Sequence, residues 1–207
     1  LLAKGEPHFW EHRLKQKLQR AITSGHLTFS KDTPAGLDAS VFFITVGTPL
    51  GPDGKARFDM VAQATRQLTS AMKDGALVIL RSTVQLGAAR RIVKPMCPER
   101  TLEGRALIEL RELPQIIGAD DAETRHRCQQ LFGKLTPTTL ALSSLEAAEM
   151  VKLVDNTYRD VSFAFANEVA KLCGAMGLSA GEVIRAGKLG YPRTNVVARM
   201  EGRSPGP

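Results

Sequence analysis

Lys152 and Asn156 stand four residues apart in the run Glu149-Met150-Val151-Lys152-Leu153-Val154-Asp155-Asn156. One helical turn puts that ammonium and that carboxamide on the same face. Among Ala, Val, Leu and Phe, such groups cost free energy unless something nearby needs them. An oxygen that becomes negative during a reaction would suit both. A solvated helix face is the simpler account of the same spacing. Glu99 follows Pro98 and by itself reads as a carboxylate that satisfies a turn.

Other reactive-looking residues carry less. His8-Phe9-Trp10-Glu11-His12 has the H-x-x-E-H spacing of inverted zinc peptidases, but that motif needs a third carboxylate from a neighbouring helix. We read these as exposed helix histidines and expect no metal site. Cys97, Cys128 and Cys173 are odd in number and widely spaced, which argues against a disulfide framework. Buried structural thiols are commoner than nucleophiles. No G-x-G-x-x-G motif and no P-loop occurs.

The elements that must position these groups alternate. Apolar Phe9, Trp10, Leu14, Leu18 and Ile22 recur at helical spacing from Pro7 to Ala21. Leu27-Thr28-Phe29 reads as a short strand. Val41 to Val46 is a continuous apolar run closed by Gly47-Thr48-Pro49, the pattern of a strand buried on both faces. A helix over Phe58 to Met72 and a strand from Ala76 to Leu80 follow. Then come a strand at Gln115-Ile116-Ile117-Gly118, a helix from Ala122 to Phe132 and a strand from Thr138 to Leu142. This alternation predicts an α/β fold with a parallel sheet. Ligands bind beyond the carboxyl ends of such strands, where Gly47-Thr48-Pro49 and Ser82-Thr83 lie. From about Ser144 to Met176 there is no Pro, and no Gly before Gly174. A helix of that length spans on the order of 45 Å, more than one small domain needs, so it reads as a domain connector or a dimer seam. Ser179 and Glu182 frame a capping box for a helix over Leu178 to Ala186, and Arg203 to Pro207 reads as loop.

At 207 residues, with 43% hydrophobic and 24% charged residues, the chain has the balance of a soluble globular protein. Its apolar runs are too short to span a membrane. It opens Leu1-Leu2-Ala3-Lys4 without a signal-peptide pattern, so a cytoplasmic setting is expected. Lys and Arg outnumber Asp and Glu by 28 to 21, but the basic residues are dispersed. Nucleic-acid binding clusters them; an anionic small substrate is the better use of the excess charge.

Taken in order, the strand ends and the long helix resemble the UDP-glucose/GDP-mannose dehydrogenase family. Val46-Gly47-Thr48-Pro49, Ser82-Thr83-Val84, Cys97-Pro98-Glu99-Arg100, Glu103-Gly104, Ile117-Gly118 and the block from Glu149 to Asn156 match its blocks at suitable distances. Gly5-Glu6-Pro7 and Glu11 also resemble the segment after its second strand. Cys-Pro-Glu-Arg, where the glucose enzymes have Asn-Pro-Glu-Phe, and Tyr158-Arg159-Asp160-Val161 through Phe165-Ala166-Asn167-Glu168 resemble the subgroup acting on UDP-N-acetylhexosamines. The likeness runs to about Val197 and is poor over Ala198 to Ser204.

The resemblance implies an incomplete Rossmann-like parallel sheet followed by a long central helix. Residues 1–143 would form a partial NAD-binding domain, and residues 144–207 a central helical domain for dimerisation and substrate. The family uses NAD twice to convert a sugar C6 alcohol to a carboxylate for polysaccharide biosynthesis. A cysteine captures the intermediate aldehyde, and water hydrolyses the resulting thioester. By this likeness Lys152 and Asn156 stabilise the C6 oxygen, while Thr83 and Glu99 position the water. Gly47, Thr48, Pro49, Ser82 and Thr83 lie against the dinucleotide. Arg100, Thr101, Leu102 and Glu103 line the sugar pocket with Lys152 and Asn156, and Arg159 meets an anionic group of the substrate. Arg100, where the glucose enzymes have Phe, is the reason to favour an N-acetylated sugar, and the subgroup resemblance as a whole favours UDP-N-acetylmannosamine. A homodimer through the 144–176 helix is expected.

The chain departs from the family pattern at both ends. It lacks the first strand, glycine loop and first helix, whose absence leaves a hydrophobic strand edge exposed. It stops about where a Pro-Gly loop leads into the Gly-Gly-x-Cys block, and none of its three cysteines aligns with that nucleophile. An internal piece that neither binds NAD tightly nor turns over substrate is the resulting expectation. The alternatives are a non-catalytic dimerisation module, or a related enzyme acting on UDP-glucose or GDP-mannose.

Overall fold

The computed structural model describes residues 1–34, 37–52, 54, 56–92 and 95–193. Two compact units divide the chain, Leu1–Lys152 and Leu153–Pro207. In the first, β1 (Val41–Ile44), β2 (Leu77–Leu80), β3 (Pro95–Met96), β4 (Gln115–Ala119) and β5 (Thr139–Leu142) form one sheet in sequence order. Val41 pairs with Leu77, Leu80 with Met96 and Gln115 with Thr139, all in parallel.

The sheet departs from a wholly parallel one at a single seam. β3 meets β4 antiparallel, Met96 opposite Gly118. β4 therefore begins where β2 ends, which later matters for Gln115. β3 is two residues long and carries no periodicity that sequence could show. The short helix α3 (Ala106–Glu112) after it was likewise not foreseen.

Alternate residues of the central strands enter two cores, as a sheet covered on both faces requires. Leu80, Met96 and Ile116 pack with Ile44, with Val61 of α2 (Asp59–Thr69) and with Leu145 and Ala148 of α5 (Leu145–Ala175). Leu77, Ile79, Cys97 and Ile117 pack with Cys128 and Phe132 of α4 (Ala122–Phe132). Asp121 caps α4 by accepting from Thr124 N at 2.7 Å.

The edge strands depart from burial on both faces: Leu140 of β5 is 50% exposed, and β1 departs where a fully buried strand was expected. β1 pairs with β2 alone, and Phe43 is 45% exposed while Ile44 is 2% exposed. α4 reaches Phe43 through the edge of Phe132, with ring centroids 6.1 Å apart. The amino-terminal expectations also need correction. α1 spans Leu14–Thr23, entered through Arg13 at φ 61°, because the preceding segment is turned so that the Glu11 carboxylate accepts from Gly104 N at 2.7 Å. Leu27 is not in a strand; its N–H bonds back to Ala21 O at 3.1 Å, extending the close of α1.

The start of α5 is fastened to the sheet by charge. Ser144 Oγ accepts from Ala147 N at 3.1 Å. Arg90 bridges Asp120 and Glu146 at 2.7 and 2.5 Å. Glu149, 1% exposed, accepts from Gly87 N at 2.5 Å and Ala89 N at 2.6 Å, so the first turns of α5 sit against the loop after β2.

The second unit contains the rest of α5 and α6 (Ala180–Lys188), with Ala166, Cys173 and Ile184 buried. Gly177, at φ 69°, carries the turn after α5, and Leu178 N returns to Cys173 O at 2.8 Å. Ser179 caps α6, accepting from Glu182 N at 3.4 Å. The readings placed on Val197 and on Ala198 to Pro207 lie outside the described residues.

Candidate active site

A cleft of about 480 Å³ opens beyond the carboxyl ends of β1 and β2, lined by Thr45, Val46, Gly47, Thr48, Arg81, Ser82, Thr83, Glu99 and Lys152. Two hydroxyls tie its rims together. Thr48 Oγ1 donates to Thr83 O at 2.6 Å, and Ser82 Oγ donates to Val46 O at 2.7 Å. Each hydroxyl makes a backbone contact from a neighbouring strand end, so the two loops are tied to each other. A Cβ built on Gly47 would meet nothing within 4 Å, leaving that backbone open to a flat ring.

Glu99 projects from the loop after β3. Its Oε1 accepts from Arg100 N and Thr101 N, each at 2.8 Å, and its Oε2 accepts from Arg81 Nη2. Arg81 is 8% exposed. Its Nη1 donates to Gln115 Oε1 at 3.0 Å, and its guanidinium lies 5.3 Å from the centroid of Phe132. Gln115 is held in turn, its Nε2 donating to Ile116 O at 2.8 Å. Burial pushes the Glu99 carboxyl up, but the Arg81 hydrogen bond and charge, with help from Thr101, outweigh it and hold the group below its ordinary 4.5.

A carboxylate held down in this way stabilises the fold above its unfolded pKa and loses that contribution as pH falls through the folded one. Wild type and Glu99→Gln should therefore differ in denaturant midpoint above pH 4.5 and converge in more acid solution, where both side chains are neutral. A difference that persists into strong acid would assign the effect to packing instead.

Six residues singled out from sequence, Gly47, Thr48, Ser82, Thr83, Glu99 and Lys152, line this one cleft. Pro49 stands on its exposed rim, its carbonyl accepting from Arg57 N at 2.8 Å. Arg100, Thr101, Leu102 and Glu103 continue the loop beyond Glu99, and Leu102 N donates to Glu109 Oε2 at 2.6 Å. Asn156, half-buried, lies one turn beyond Lys152 along α5 in the second unit, and Arg159 is exposed further on. Cys97 sits in the core, its thiol pushed well above the ordinary range by its hydrogen bond to Cys128 and by burial. It is built as a packing residue. Arg81, Gln115 and Glu149 were missed as site residues. For Arg81 the available signal was a charge closing the buried apolar run of β2, which is costly without a partner.

Comparison with known proteins adds an independent line. Residues 1–136 match the UDP-glucose/GDP-mannose dehydrogenase family, NAD binding domain, and residues 146–195 match the central domain of the same family. UDP-N-acetyl-D-mannosamine dehydrogenase of Escherichia coli K12 is 30% identical over 94% of this chain and 51% of its own length. The structure of UDP-D-ManNAc dehydrogenase from Pyrococcus horikoshii superposes with a TM-score of 0.85 at 29% identity, covering 95% of this chain and 50% of that one. A UDP-glucose dehydrogenase from Pyrobaculum islandicum gives 0.78 at 30% identity, over 93% and 48%. The chain thus spans about half the length of the curated relatives it matches. Among its described residues no helix is long and apolar enough to cross a membrane.

Proposed function

Because this chain belongs to the UDP-glucose/GDP-mannose dehydrogenase family, we propose that it carries half of the machinery of an NAD-dependent nucleotide-sugar 6-dehydrogenase acting on UDP-N-acetylmannosamine. The observation that carries this reading is the convergence of Lys152, Thr83 and Glu99 on one cleft at the carboxyl ends of β1 and β2. The open backbone at Gly47 and the tied rims fit the flat end of a dinucleotide, with Thr48, Pro49, Ser82 and Thr83 beside it. Bound NAD supplies a hydride acceptor. The chain's own residues do the rest. Lys152 holds the C6 oxygen as it becomes negative, and Asn156 assists. Thr83 and Glu99 aim a water that takes the proton. Arg100, Thr101, Leu102 and Glu103 contact the sugar, and Arg159 pairs with an anionic group of the substrate. Domains at 1–143 and 144–207, and a cytoplasmic setting, go with this reading. UDP-glucose and GDP-mannose are the competing substrates.

The test is to follow the coding DNA outward from both ends and assay the polypeptide that the whole reading frame encodes. NADH should form from UDP-N-acetylmannosamine in preference to UDP-glucose or GDP-mannose. The 207-residue chain alone should form none. Turnover by that chain, or none by the whole-frame product with any of the three sugars, would sink the reading.

One further observation favours self-association. Val154, Tyr158, Val161, Phe165 and Leu172 on α5 are each more than half exposed, and stripes of this kind mark interfaces. A two-fold seam along α5 would cover them. Sedimentation should report a dimer that Val161→Asp with Phe165→Asp converts to monomer. A dimer that survives the pair would move the seam elsewhere.

A further inference from the structure

Glu99 is fixed on both sides before any ligand arrives. One oxygen takes the N–H groups of Arg100 and Thr101, and the other takes Arg81. Arg81 is an unusual group to find at the end of a central strand, since burying a guanidinium costs free energy unless its fork is filled. Here the fork is filled from two directions, by Glu99 and by Gln115, and its flat face lies near Phe132. Gln115 can accept from Arg81 because its amide nitrogen is occupied by Ile116 O at 2.8 Å and Pro98 O at 3.4 Å. β4 starts at the edge of the sheet where β2 ends only because it pairs antiparallel to β3. The seam that breaks the parallel pattern is therefore what delivers Gln115 to the back of the cleft.

We propose that Arg81, backed by Gln115, is a positioning residue for the reaction: it pins Glu99 as an acceptor facing the cleft, so that Glu99 aims water and does not donate a proton. This rests on the dehydrogenase reading of the cleft. An arginine suits the task better than a lysine, because its planar fork can hold two partners at a fixed angle. Other charged or titratable groups face the pair. Lys152 of α5 lines the same cleft, Arg100 adjoins Glu99 in the loop, and Cys97 on the loop after β3 and Cys128 on α4 are paired in the core near Arg81. The depressed carboxyl of Glu99 agrees with the geometry.

Two measurements test this. Isotope-labelled glutamate in the 207-residue chain reads the Glu99 carboxyl by NMR, its resonance identified by loss in Glu99→Gln. The midpoint should rise in Arg81→Met and rise less in Arg81→Lys, which restores the charge. In the whole-frame polypeptide, Arg81→Met should lower kcat about a hundredfold and move the acidic limb of its pH profile upward, with Arg81→Lys recovering part of both. A Glu99 midpoint that stays put in folded Arg81→Met overturns the pinning. A midpoint that moves while the acidic limb does not overturns the positioning role. Should Arg81→Met fail to fold, Gln115→Met serves: it removes the backing while leaving both charges, the same upward direction is expected, and no change overturns the proposal. The dehydrogenase reading fails separately, if Lys152→Ala leaves turnover intact.

Discussion

Lys152→Ala should lower kcat for NAD reduction by the whole-frame polypeptide by about a hundred- to a thousandfold, the usual cost of removing one pre-placed donor to a developing oxyanion. The size of the effect follows from how Lys152 is held. Glu149, three residues earlier, is locked by Gly87 N and Ala89 N at 2.5 and 2.6 Å, and Arg90 grips Glu146 another turn back toward the start of α5. The ammonium is thus carried on a helix whose register relative to the sheet is fixed twice. A donor that needs no reorganisation is worth most in the transition state, so the loss should fall on kcat and leave the KM for NAD nearly unchanged. Lys152→Met keeps the aliphatic stem and removes the charge. Its kcat should fall as far as that of the alanine variant. If Lys152→Met is close to wild type, the side chain serves packing, and α5 as an interaction helix becomes the better account of this region.

The elements that sequence exposed most clearly are those with a full period of burial. The helix from Ala122 to Phe132 was foreseen at both ends, and the long helix to within a residue at each, because Pro is absent from both, Gly is absent until Gly174 in the last turn of the long one, and the apolar spacing is sustained. β2 stood out as a short buried apolar run, and β4 as a strand ending in Gly118. Three things were hidden for physical reasons. β3 is a two-residue pairing made by neighbours and not by its own composition. Leu27-Thr28-Phe29 has strand-like residues but no strand to pair with. Phe43 looks like a core residue in sequence and is 45% exposed, because β1 has one neighbour in the sheet. At the cleft, residues next to strand ends could be named from local spacing. Arg81 and Gln115 could not be matched in advance, since Arg81 meets partners 18 and 34 residues away along the chain, and only the antiparallel seam brings the second one near.

Gly118→Val should be the most destabilising single change in the first unit that touches no cleft residue. A Cβ at Gly118 would lie 2.6 Å from Ser144 O, 2.7 Å from Ala148 Cβ and 3.1 Å from Leu145 Cα. Two of those atoms are backbone and the third is the stub of an alanine, so no side chain can swing aside. Gly118 is itself fixed in the sheet, opposite Met96 on one side and Leu142 on the other. The strain must be relieved by lifting α5 off β4, and overpacking of this kind costs about 1–3 kcal/mol even for one added methyl. Gly118→Ala should lower stability by roughly that amount and Gly118→Val by more. The displacement would also pull Glu149 from its two N–H partners, so turnover in the whole-frame polypeptide should fall with stability. Gly174 on the same helix supplies the control, since a Cβ there meets nothing within 4 Å. Gly174→Ala should stabilise by about 0.5–1 kcal/mol through helix propensity alone. Denaturant midpoints of the three variants check the contrast. If Gly118→Ala matches wild type, β4 and α5 do not approach so closely, and the rigid mounting argued for Lys152 loses its foundation.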